Sequence, residues 1–264
     1  MSKLRHLVFA LSMPAVLWGC GPEDLPSEMP VPTAATVAEE APAMLDSQAQ
    51  ELAATAEYTW SQSSSGSTAL GATAGRACFL TRVGGDFEGG GERVDIFESG
   101  GSWYLGGASS QSGINGASRC VSVAGYSAQY EWTQASSYPV YMGSATNRVC
   151  YLTGLAGKLN GGGEWVHAYV SGGDWYLSGN TNQTTLKARA RCITVDSYTD
   201  ESTWSQGASA TLLGAVTNRS CALTYVKGKF EGGGEYVRTY QSNGYWYLGG
   251  SSGQVSVAGR SRCF

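Results

Sequence analysis

The stretch FEGGGERV beginning at Phe87 returns as LNGGGEWV from Leu159 and as FEGGGEYV from Phe230, so Glu92, Glu164 and Glu235 each follow three glycines. A phosphate-binding loop needs a lysine and a hydroxyl after its glycines, with a helix behind them. Here a carboxylate follows instead, and a β-branched strand former comes soon after. A calcium loop needs several oxygen ligands at regular spacing. Asp86, Glu88 and Glu92 offer them once, but Lys158 and Asn160 stand at the first two positions ahead of Glu164. No metal or other cofactor is expected. His167 is the one histidine beyond the N-terminal segment and has no counterpart in the other copies, which leaves a Ser-His-Asp or Cys-His site at most one location. A glycosidase needs two carboxylates, and only one glutamate recurs per copy. The chain is not expected to be an enzyme. The recurring glutamate does have recurring cations: Arg76, Arg148 and Arg219 flank one set of cysteines, and Arg119, Arg191 and Arg262 the other. These spacings suggest a structural carboxylate–guanidinium clamp, strongest for Glu92, Glu164 and Glu235 with Arg76, Arg148 and Arg219.

Six cysteines fall as Cys78/Cys120, Cys150/Cys192 and Cys221/Cys263, each pair 42 positions apart. One disulfide per copy follows, which requires an oxidising compartment. A seventh, Cys20, is left over and needs a separate use. Lys3 and Arg5 precede an apolar run from Leu7 to Gly19, too short to span a membrane and patterned as an export signal. The run ends in Leu17-Trp18-Gly19-Cys20. These four residues resemble the lipobox of bacterial lipoproteins. The resemblance implies that residues 1–19 are a signal peptide, that Cys20 becomes lipid-modified, and that the membrane is a partner through this anchor. Gly21 stands where an aspartate retains some lipoproteins at the inner membrane, so the resemblance implies the outer membrane. Residues 20–57 then read as a tether: from Gly21 to Glu57 there are eight acidic residues and no Lys or Arg. The remaining 13 acids and 15 bases nearly balance, and no basic stripe points to nucleic acid.

The elements that must position these residues repeat. Trp60, Trp132 and Trp204 are 72 residues apart, which divides the chain into copies at 58–126, 127–198 and 199–264. Within a copy the apolar period is two. Val94 and Ile96 alternate with Arg93, Asp95 and Phe97, and Ser-Gly-Gly or Ser-Asn-Gly then turns the chain into SWYLGG, DWYLSG or YWYLGG. Five or six short strands per copy are expected. The fold class is therefore all-β: three tandem disulfide-closed antiparallel modules of about 70 residues. Each bridge would contribute about 4 kcal/mol through loop closure, which so small a β unit needs. The short links make the modules neighbours, either around a pseudo-threefold axis or as beads on a string.

Alternation also defines an outer face. Tyr104, Tyr176 and Tyr247 lie between Trp and Leu and should point away from both. Joined by Arg93, Trp165 and Tyr236, and by Tyr169 and Tyr240, they form a candidate ligand face whose flat rings and polar tips suit glycan or surface-protein contact. The expected function is a multivalent, lectin-like or adhesin-like lipoprotein of the cell envelope, exposed at the cell surface. The alternative is a structural or protein-interaction repeat without a sugar site. Replacing Cys20 (Cys20→Ser) is expected to move the protein from the membrane to the soluble fraction on cell fractionation, and unchanged partitioning would overturn the lipobox reading.

Overall fold

The computed structural model describes residues 52–183 and 185–264. The export segment, Cys20 and most of the acidic tether lie outside the described residues. Each copy forms six strands. The first holds β1 (Tyr58–Ser61), β2 (Thr68–Ala72), β3 (Arg76–Gly84), β4 (Arg93–Ser99), β5 (Ser102–Ala108) and β6 (Asn115–Ser122). The second holds β7 (Tyr130–Thr133), β8 (Val140–Ser144), β9 (Arg148–Ala156), β10 (Trp165–Ser171), β11 (Asp174–Asn180) and β12 (Lys187–Thr194). The third holds β13 (Ser202–Ser205), β14 (Thr211–Ala215), β15 (Cys221–Lys227), β16 (Tyr236–Ser242), β17 (Tyr245–Ser251) and β18 (Ala258–Cys263).

The hairpins form as the turn residues dictate. Gly100-Gly101, Gly172-Gly173 and Asn243-Gly244 all have positive φ, the conformation that a two-residue turn needs to match strand twist. The three disulfides Cys78–Cys120, Cys150–Cys192 and Cys221–Cys263 are present, each joining directly opposed residues of adjacent strands. Trp103, Trp175 and Trp246 are fully buried, and their indole N–H groups donate to the carbonyls of Arg76, Arg148 and Arg219. Trp60, Trp132 and Trp204 lie against Gly107, Gly179 and Gly250, where any Cβ would strike the ring.

No module owns a sheet. The three six-stranded sheets run β1-β6-β3-β16-β17-β14, β2-β5-β4-β9-β12-β7 and β13-β18-β15-β10-β11-β8. Each module gives its first, third and sixth strands to one sheet and its second, fourth and fifth to another. The halves join where β4 pairs with β9, β10 with β15, and β16 with β3. This closes a ring of three modules, and the pseudo-threefold arrangement replaces beads on a string. On the axis, Phe87 N–H donates to Phe230 O, Phe230 N–H to Leu159 O, and Leu159 N–H to Phe87 O, at 2.7 to 2.9 Å. All three side chains are fully buried.

A second axial cluster joins Phe79, Tyr151 and Phe264, with ring centroids 5.6 to 6.0 Å apart. The third copy carries Ala222 where the others carry Phe79 and Tyr151, and the C-terminal Phe264 fills the space. Its backbone pairs both ways with Ser220 at 2.9 Å. The body also reaches back beyond the expected boundary at Tyr58. Leu52 is buried, and Thr55 bonds Cys120 as Ser127 and Thr199 bond Cys192 and Cys263, so residues 52–57 belong with the first module rather than the tether. Phe264→Ala is expected to lower unfolding free energy by roughly 3 kcal/mol in urea titration, because the axial void has no other side chain to fill it. A loss below about 1 kcal/mol would mean that the cluster does not hold the ring closed.

Candidate functional site

The three seams are where the outer face carries its most varied chemistry. A bulge at Thr81, Thr153 and Thr224 interrupts the pairing of each third strand with the sixth. That extra residue turns the threonine inward, fully buried, and aims the next residue outward: Arg82, Gly154 or Tyr225. Opposite it, from the neighbouring module, stands the middle outer residue of the fourth strand. The registers are Asp95↔Gly154, His167↔Tyr225 and Arg238↔Arg82. Beneath them the backbone is the same three times, with Val94, Val166 and Val237 fully buried.

At the β4–β9 seam, Asp95 is 5% exposed and accepts from Arg189 Nη1 at 2.8 Å. Arg189 also donates through Nε to Glu131 at 2.8 Å, and Arg93 lies 4.0 Å from the other Asp95 oxygen. Burial pushes the Asp95 carboxyl above its ordinary value, against the opposing charges of Arg93 and Arg189. Gly90, Gly91 and Lys187 complete the groove, and one Asp95 oxygen there has no hydrogen-bond partner.

At the β10–β15 seam, His167 Nε2 lies 2.9 Å from Glu201 Oε1. Glu201 also accepts from Thr224 at 2.6 Å and from Arg260 at 3.2 Å. Burial raises the Glu201 pKa, but the bonds from His167 and Thr224 and the Arg260 charge outweigh it, and the net shift is downward. Tyr225 stands 4.9 Å from the His167 ring, Tyr169 at 5.1 Å and Trp165 at 6.4 Å. His167 is thus the hydrogen-bonded centre of an aromatic cluster, with Glu201 as its ring's hydrogen-bond partner.

The β16–β3 seam holds Arg82, Tyr236, Arg238 and Tyr240. Arg82 lies 3.9 Å from the Tyr236 centroid and Arg238 lies 4.3 Å from that of Tyr240.

The candidate ligand face therefore divides into three. Arg93 and Tyr104 lie on one sheet, Trp165, Tyr169 and Tyr176 on a second, and Tyr236, Tyr240 and Tyr247 on the third. Tyr104, Tyr176 and Tyr247 do face opposite to their buried Trp and Leu neighbours, and all three are half-buried. Each sits directly across from an aromatic of the preceding strand. The pairs Phe97–Tyr104, Tyr169–Tyr176 and Tyr240–Tyr247 have centroids 5.7, 5.9 and 5.6 Å apart.

The expected arginine clamp does not form. Arg76, Arg148 and Arg219 donate instead to the carbonyls of Leu70, Met142 and Leu213, across the bulged second strands. Arg119, Arg191 and Arg262 donate to the carbonyls of Thr55, Ser127 and Thr199, and they lie over Trp246, Trp103 and Trp175 of a neighbouring module. These cations serve backbone oxygens left over at linkers and bulges, a need that residue spacing does not reveal. Glu92, Glu164 and Glu235 are 0%, 4% and 6% exposed, each with its Oε2 unpartnered and tucked under its own glycines. Their main-chain carbonyls accept from Gly157, Gly228 and Gly85 of the next module at 2.8 to 3.0 Å. The loop is an inter-module joint.

Sequence reasoning missed Arg82, Arg189, Glu201 and Arg260 as site residues. The available signal was variation straight after the recurring Cys-x-Leu-Thr, where Arg82, Gly154 and Tyr225 differ within an otherwise uniform repeat.

The fold and its seams define a closed, three-module, disulfide-bonded β body with one distinct side-chain set at each joint. No protein-family model and no curated protein matches the chain.

The glycines of the loop are not equivalent. A Cβ at Gly89 would overlap the Glu92 carboxylate, whereas one at Gly91 meets nothing within 4 Å. Gly89→Ala is expected to lower the unfolding free energy by about 1 to 3 kcal/mol through overpacking, and Gly91→Ala to leave it within about 0.5 kcal/mol. Equal effects in chemical denaturation would refute the account of the loop.

Proposed function

We propose that this protein is a surface-anchored lipoprotein that binds extracellular glycan at three places at once, in the manner of a lectin or adhesin. The observation carrying this reading is the half-buried aromatic pair set at the same position on each sheet: Phe97–Tyr104, Tyr169–Tyr176 and Tyr240–Tyr247. Ring faces held rigidly by a sheet present apolar area to the C–H side of a sugar, and phenol hydroxyls at their rims bond its hydroxyl groups. The neighbouring seams add polar groups that differ between sheets, so one scaffold presents three related but unequal subsites. Three weak sites in one rigid body gain affinity for a repeating polymer by effective concentration.

The acidic segment after Cys20 supplies a polar spacer between a lipid anchor and the body, and it supports display at the cell envelope, on the outer membrane. Contact with surface proteins would use the same faces. The test is a glycan array probed with the full chain. Binding is expected for at least one polysaccharide, with an apparent affinity on a dense surface about 10² above that for the matching soluble oligosaccharide. The variant carrying Tyr104→Ser, Tyr176→Ser and Tyr247→Ser should lose this binding while remaining folded. No binding to any glycan would sink the reading in favour of a protein-interaction or structural role.

A further inference from the structure

The β16–β3 seam differs from the other two in its charge. In antiparallel sheets, like charges placed directly opposite one another are destabilising. Yet Arg238 of the third module stands directly across from Arg82 of the first. At the corresponding places, Asp95 faces Gly154 and is answered by Arg189 at 2.8 Å, and His167 faces Tyr225 and is answered by Glu201 at 2.9 Å. Among the described residues, neither Arg82 nor Arg238 has a carboxylate in ion-pair contact. The nearest acid lining the groove, Glu57, accepts from Thr81 at 2.9 Å and lies 4.0 Å from Arg119. Burial first, and the Arg238 charge after it, lower the Arg82 pKa, against opposing influences of Tyr236 and Glu57.

The two guanidinium groups are also held in place. Arg82 donates through Nε to Asn115 Oδ1 at 2.5 Å, which orients its plane, and it lies over Tyr236. Arg238 lies over both Tyr236 and Tyr240, at 5.3 and 4.3 Å. Among the described residues, neither the Arg82 Nη groups nor any nitrogen of Arg238 makes a hydrogen bond or is buried without a partner. On either side of the pair in the same row the sheet carries Ala117 and Gly249, residues too small to cover it. The result is a groove with two forked donors on its floor and tyrosine faces beside them.

We propose that this seam binds the acidic groups of an anionic saccharide, with sulfate or carboxylate oxygens received by Arg82 and Arg238 and the sugar ring laid against Tyr236 and Tyr240. Guanidinium forks match the geometry of such oxyanions, and stacking on an aromatic ring keeps them oriented without neutralising them. An anion between the two arginines removes the repulsion that the apo sheet bears. The saccharide carrier rests on the glycan reading above, while the anion preference rests on the arginine pair alone.

Isothermal titration of the full chain with a heparin-derived oligosaccharide, an oligogalacturonate, a neutral dextran oligosaccharide and inorganic sulfate separates these. At least one acidic oligosaccharide should bind, more weakly as salt is raised, and neutral dextran should not depend on either arginine. Arg238→Gln should weaken acidic binding by at least about tenfold, the worth of one or two charge-assisted hydrogen bonds. Its melting temperature should stay the same or rise, because a like-charged pair has been relieved. Lys158→Gln, the same charge change in the loop between β9 and β10 and outside the three seam grooves, should alter binding less than about twofold. Equal losses in both variants would indicate diffuse charge and overturn the site. A melting temperature that falls together with binding would assign Arg238 to holding the sheet and also overturn it. Binding of neutral glycans alone would reject the anion preference and leave the multivalent reading standing. Sulfate binding without any saccharide would reject the sugar carrier, and silence in every titration would reject both.

Discussion

Every element of this protein depends on one pairing, the edge of each fourth strand against the third strand of the next module. An isolated module would expose the edges of two three-stranded half-sheets, each with unpaired N–H and C=O groups. Closing three modules in a ring pairs the inner edge of each half-sheet, third strand against fourth, without a fourth partner, and leaves only the short first and second strands at the sheet edges. The axial triangle of Phe87, Leu159 and Phe230 repeats the arrangement at the centre, since each residue gives its N–H to one neighbour and its carbonyl to the other. The carbonyls of Glu92, Glu164 and Glu235 do the same one layer out. The disulfides act inside modules, while the hydrogen bonds and stacked arginines act between them.

The ring also separates what must stay constant from what is free to vary. Inward positions are fixed by packing: Val94, Val166 and Val237 all meet the same core, and Trp103, Trp175 and Trp246 each bond the equivalent arginine carbonyl. Outward positions at the seams face, across the sheet, a residue of another module. There the same backbone carries an acid answered by arginine, a histidine answered by glutamate, and two arginines with no carboxylate in ion-pair contact among the described residues. Threefold repetition of the frame thus gives three seams with different electrostatics.

The repeated loop that first suggested chemistry illustrates how burial changes a reading. Its glutamate is buried, as a structural role requires, but its cover is glycine and not arginine. The arginines near the cysteines bond carbonyls of Leu70, Met142 and Leu213, or of Thr55, Ser127 and Thr199, and the carboxylate that Arg191 meets, at 2.6 Å, is Glu98 rather than a loop glutamate. Charge complementarity in sequence proposes partners, and unsatisfied backbone in three dimensions outbids it.

By itself the sequence determined the features that arise from local periodicity and from repetition. These are the five or six short strands per copy, the inward Val and Trp positions, the hairpin turns, the three bridges 42 positions apart, and the outward set of Tyr104, Tyr176 and Tyr247. Each needs only neighbours along the chain or an equivalent position in another copy. What tertiary structure decided was which copy pairs with which. In near-identical repeats the edge of one module is chemically equivalent to the edge of the next, so pattern cannot tell pairing within a module from pairing across the ring. That choice, set by edge closure and axial packing, brings Arg82 opposite Arg238 and Glu201 beside His167, across 156 and 34 positions of chain.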